Sequence, residues 1–105
     1  MKQQMLLVLT TTSTGEVAES LGESIVENRL AACVQILPPM TSVYVWKGKI
    51  QKDREHLLLI KTLEEKFDDL EKFILENHSY DIPEIVALKA EEVSGGYLRW
   101  LTESL

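Results

Sequence analysis

Two histidines, one cysteine and a scattered set of aromatic and charged residues are the groups with which this 105-residue chain could do chemistry. His78 follows a helical stretch and has Asn77, Tyr80, Asp81 and Glu84 as neighbours. An imidazole with carboxylates nearby can hold a divalent cation, so His78 is the candidate metal contact. A histidine just past a helix can also cap carbonyls and favour the helix dipole. His56 opens an extended run without a ligand partner at nearby spacing and reads as a surface or edge residue. Cys33, the single cysteine, rules out an internal disulfide, and Ala31-Ala32-Cys33-Val34 reads as the setting of a small buried hydrophobe. No serine or threonine stands in a nucleophile elbow, so the chain reads as a non-enzyme.

The second set is Trp46, Lys61, Tyr80, Glu84 and Trp100, with Lys47 and Tyr97. Core packing accounts for the tryptophans in one reading, and Lys61 then merely ends a strand. In the other, these residues wall a ligand cleft completed by a neighbouring chain, with Lys61 and Glu84 as a charge pair between aromatic walls. Thr41 to Trp46 alternates Val43 and Val45 with Tyr44 and Trp46, which predicts a strand with one aliphatic and one aromatic face, both at least half-buried. Gly48 in Lys47-Gly48-Lys49 turns that strand into a hairpin.

Positioning these groups requires a small alternating fold. Met5–Thr10 reads as a buried strand. Ser13 and Glu16 form a capping-box pattern ahead of a helix from about Glu16 to Asn28, whose Val17, Leu21, Ile25 and Val26 share a face. Ala31–Leu37 is a second strand, interrupted by Pro38-Pro39 before extended structure resumes at Met40. A polar piece, Gln51 to Arg54, leads to a strand over Glu55–Thr62 whose apolar centre predicts cover on both faces. Thr62 and Glu65 form a second capping box, before a helix from about Glu64 to Asn77. A loop held extended by Pro83, a short strand Ile85–Ala90 and a last helix starting near Ser94-Gly95-Gly96 complete the order. This is an α+β, ferredoxin-like βαββαβ arrangement in a single domain over residues 1–105, with a long β-hairpin, an extra C-terminal helix and both main helices on one side of the sheet.

Composition narrows the partners. The formal charge of −6 at pH 7 excludes the basic surface of a nucleic-acid binder and does not favour anionic membranes. The apolar run Met5–Leu9 is shorter than a signal-peptide core and far shorter than a membrane span, so the expected location is cytoplasmic. The loop after the first strand contains neither the Cys-x-x-Cys of heavy-metal-binding domains nor the Arg of an acylphosphatase-like anion cradle.

Five segments together resemble the CutA divalent-cation-tolerance proteins: Leu30–Val34, Thr41–Lys49, Ile60–Thr62, Asn77–Ile85 and Tyr97–Leu101. They occur in that family's order and cover nearly the whole chain. The resemblance implies a compact homotrimer whose hairpin reaches a neighbour, and a role in tolerance of copper and other divalent metals with no cofactor required. Some bacterial members pair a cysteine near the end of the first strand with two adjacent histidines after the second long helix. This chain has Leu9-Thr10-Thr11 and Asn77-His78 at those places, so two soft copper ligands are absent, leaving weak binding by His78 with an acidic neighbour. The likeness of the implied trimer to the P-II nitrogen-signalling proteins suggests an alternative, a signalling module for an organic anion or nucleotide with Lys61 and Lys47 as charge partners. A third reading is a structural trimeric scaffold for a protein partner.

Overall fold

The computed structural model describes residues 3–105. Its elements run β1 (Met5–Thr12), α1 (Gly15–Glu27), β2 (Cys33–Ile36), β3 (Met40–Trp46), β4 (Lys49–Leu63), a 3-10 turn (Glu64–Lys66), α2 (Phe67–Asn77), β5 (Val86–Lys89) and α3 (Gly95–Glu103). The sheet order is β2-β4-β1-β5 with every pairing antiparallel, and β3 pairs with the N-terminal half of β4. The ferredoxin-like expectation holds, with β2 and β3 together replacing one strand of the simple pattern.

The largest departure from the expected elements is β4. The polar piece Gln51 to Arg54 does not interrupt the strand, which runs 15 residues without a break. Its polar side chains belong to a two-stranded arm that projects from the body, where both faces are open in one chain. A strand of that length spans about 50 Å, and the molecule's longest dimension is 47 Å. Lys47 and Gly48 both take positive φ, 52° and 77°, which is the two-residue hairpin turn whose twist matches its strands. Pro38-Pro39 ends β2 and lets β3 leave the body along β4.

Two caps differ from the sequence reading. Thr14, not Ser13, caps α1, its Oγ1 accepting from the Val17 amide at 3.2 Å. Thr62 is fully buried and caps nothing; its hydroxyl donates to the Leu30 carbonyl at 2.7 Å, tying β4 to the segment before β2. At the other end of α1, Arg29 takes a left-handed φ of 56° while the Leu30 and Arg29 amides donate to Ile25 and Val26 carbonyls, closing the helix in a Schellman arrangement.

Strand alternation divides the sheet. Leu6, Val8, Leu58 and Ile60 face α1 and α2 and pack with Ala18, Leu21, Ile25, Leu70 and Ile74 as the main core. A side chain on Gly22 would come within 3.1 Å of Val34, so α1 lies close to β2 there. The opposite face is covered at one end only, where Leu101 and Leu98 of α3 pack on Met5, Leu7 and Leu63. Beyond α3, Leu9, Leu57 and Leu59 are half-buried, and Val86 and Leu88 of β5 are 45% and 50% exposed. The expected cover on both faces of β4 is thus only partly supplied by one chain. On the arm it is missing altogether: Val43, Val45 and Trp46 are 61%, 67% and 49% exposed.

Candidate functional site

The α3 face of the sheet continues onto the arm. Antiparallel register places Tyr44 opposite Gln51 and Trp46 opposite Lys49, on the same side of β4 as Asp53 and Glu55. Thr11, at the end of β1, stands opposite Leu57 on that side. The loop between α2 and β5 folds over this corner and closes a cleft of about 430 Å³ whose walls include Thr11, Tyr44, Trp46, Glu55, Tyr80 and Glu84. Asp53, Asp81 and Ile82 complete the lining.

Hydrogen bonds fix the aromatic walls. The Tyr80 hydroxyl donates to Glu55 Oε2 at 2.8 Å, and the Tyr44 hydroxyl donates to Asp53. Burial first, then the bond to Glu55 and the nearby carboxylate charges, hold the Tyr80 phenol well above its ordinary pKa of 10.0. Tyr44 is also raised, chiefly by its bond to Asp53. A phenol whose folded pKa lies above its unfolded value contributes stability that is complete below pH 10 and is lost as pH rises through the folded value. The expected result is a denaturation midpoint that falls between about pH 9 and pH 11.5, and falls less steeply in Tyr80→Phe. Parallel declines in the two proteins would show that the Tyr80–Glu55 bond is not the cause.

His78, the candidate metal contact, has both ring nitrogens engaged. Nε2 lies 2.7 Å from the Thr11 carbonyl, which can only accept, so Nε2 carries the proton. Nδ1 accepts from the Tyr80 amide at 3.0 Å. The ring therefore pins the loop to β1 and sets Tyr80, whose ring centroid is 4.8 Å away, against the cleft. In this arrangement His78 offers no lone pair to a metal. Among the described residues no group of three His, Cys, Asp or Glu side chains converges on one point, so the residues present do not fit a resident metal ion.

Of the residues expected to wall one cleft, Trp46, Tyr80 and Glu84 come together, and Lys61 and Trp100 do not join them. Lys61 lies six residues along β4 from Glu55, about 20 Å away on the same side of the strand. Its ammonium stands 5.5 Å from the Tyr97 ring centroid, and that ring is 5.4 Å from Trp100. The expected Lys61–Glu84 pair is absent; among the described residues the ion pair is Lys89–Glu64, at 3.5 Å.

His56 is not the plain surface residue its position suggests. It is half-buried, with Nδ1 at 3.0 Å from the Leu37 carbonyl at the Pro38-Pro39 break, and a methyl group on Gly15 would touch its ring at 3.6 Å. The one available signal is alternation: counting back from Ile60 and Leu58 puts His56 on the helix-covered face.

The family model of the CutA1 divalent ion tolerance protein matches residues 6–104. The chain belongs to the CutA1 divalent ion tolerance family. Among CutA1 relatives, the divalent-cation tolerance protein CutA of Thermus thermophilus is 45% identical over 98 residues, covering 93% of this chain and 95% of its own length. A chloroplastic CutA protein of Arabidopsis thaliana is 43% identical over 99 residues, and the chain spans 94% of itself but only 54% of that relative. The crystal structure of CutA1 from Oryza sativa superposes with a TM-score of 0.94 at 42% identity, covering 96% of this chain and 93% of the other. The solved structure of the Thermus thermophilus protein gives a TM-score of 0.92 at 44% identity, covering 95% of this chain and 97% of the other.

Proposed function

We propose that this CutA1 family member works as a cytoplasmic homotrimer in tolerance of divalent metal ions, copper among them, with its working cleft where protomers meet. The observation that carries this reading is the division of the cleft residues into two clusters on one incompletely covered face. Trp46, Tyr80 and Glu84 stand at the arm; Lys61, Tyr97 and Trp100 stand about 20 Å away. Apolar residues lie between them, and contact with neighbouring chains would bury these as it brings one protomer's arm cluster to another's Lys61 and Trp100. Contact would also pair the free edge of β3. The role in metal tolerance is drawn from family membership and the names of the relatives.

Relatives are named as chloroplastic and periplasmic proteins.

Light scattering tests the assembly: the expected mass is three times the 12.0 kDa of one chain. A mass of one chain at micromolar concentration, or a Trp46→Ser variant that assembles like the wild type, would overturn it. Titration of the trimer with copper and zinc tests for direct metal contact. A saturable heat or spectral change with either ion would add direct metal contact to the reading, and its absence would leave the role in tolerance indirect.

A further inference from the structure

The anion expected of a P-II-like module meets the wrong charge in this cleft. Asp53, Glu55, Asp81 and Glu84 line it, and among the described residues none of them forms an ion pair. Two are held by neutral donors, Asp53 by Tyr44 and Glu55 by Tyr80, which orient the carboxylates without neutralising them. A lysine from a neighbouring chain would leave the lining acidic. The carboxylates also fail to converge as metal ligands do. They are spread around the aromatic walls of Tyr44, Tyr80 and Trp46, and the Trp46 ring is half exposed. Walls of that kind favour an organic cation, whose positive charge is drawn to the ring faces and whose apolar surface packs on the rings.

We propose that this cleft binds small organic cations of the ammonium class, seated on the Tyr44, Trp46 and Tyr80 rings with Asp81 and Glu84 as counter-charges. The proposal names the ligand class of the cleft described above and rests on the reading that this cleft is the working site. All five residues named come from one protomer. The cleft volume of about 430 Å³ is of the size of a small-molecule site. Asp81 and Glu84 are the two carboxylates that no tyrosine hydroxyl occupies, so they are free to meet the ligand.

The test is nuclear magnetic resonance on the full chain, following the Trp46 indole N–H signal, assigned by its loss in Trp46→Phe. Tetramethylammonium and cadaverine are titrated separately, against sodium chloride at matched ionic strength and against glutarate. The expected result is a saturable shift of that signal with both amines and none with sodium or glutarate. The double variant Asp81→Asn, Glu84→Gln is expected to weaken amine binding about tenfold or more. Glu64→Gln, which removes a carboxylate remote from the cleft, is expected to bind as the wild type does. The proposal is overturned by an equal response to sodium, by saturation with glutarate in place of the amines, by no saturable shift at all, or by unchanged affinity in the double variant. Light scattering on the same samples keeps the assembly separate: a trimer that ignores amines defeats this proposal alone, and a monomer that binds them defeats the trimer alone.

Discussion

A Val86→Glu variant is expected to fold and to remain a single chain. Val86 stands beside Leu9 on the incompletely covered face and is 45% exposed in one protomer, so a carboxylate there keeps its water as long as the chain is alone. In a trimer built on that face, three carboxylates would lie between apolar surfaces. Each buried, unpaired charge costs several kcal/mol, and the three also repel one another. The dissociation constant should rise by orders of magnitude, and the scattering mass should drop to the 12.0 kDa of one chain with an unchanged far-ultraviolet spectrum. A variant that kept the wild-type mass would place the contact surface elsewhere.

The second large effect belongs to the opposite face. Ile60 is fully buried, pairs with Val8 and Val34 on the neighbouring strands, and packs under α1 and α2. Ile60→Ala is expected to cost about 2–5 kcal/mol, the lost transfer energy plus the cavity left among helices that cannot close onto it. Domains of this kind have about 5–15 kcal/mol in total, so the loss should be plain in chemical denaturation. Leu75→Ala, on the outward side of α2 and 54% exposed, should stay within about 0.5 kcal/mol when measured at the same chain concentration. A loss below about 1 kcal/mol at Ile60 would mean that β4 is not the strand about which the core is built.

The order of elements and the hairpin turn were legible because they rest on local chemistry. Period-two alternation marks Val43 to Trp46 in any context, and Gly48 permits the left-handed turn whatever surrounds it. The helix stripes worked in part for the same reason: Leu21 and Ile25 are buried, as are Leu70 and Ile74, whereas Val26, counted on the face of the first helix, is 41% exposed. The caps were less legible. Ser13 and Thr14 present the same hydroxyl one residue apart, and only the path of the chain out of β1 selects Thr14. Thr62 has the sequence neighbours of a cap but bonds a carbonyl 32 residues earlier, a contact with no local signature.

The candidate site shows the same limit. Family membership and the identity of the aromatic and acidic residues were in the sequence, because motifs in register survive without coordinates. The sequence alone also determined the strand and helix order, the tight turn and an acidic chain without a disulfide, all properties of neighbouring residues or of composition. Tertiary structure decided that β4 is continuous, that His78 spends both nitrogens on backbone groups, and that Lys61 and Trp100 stand apart from Trp46, Tyr80 and Glu84. Each of these depends on pairings between residues far apart along the chain. Such pairings are chosen by the closing of the whole sheet against its helices, so no window of neighbouring residues contains them.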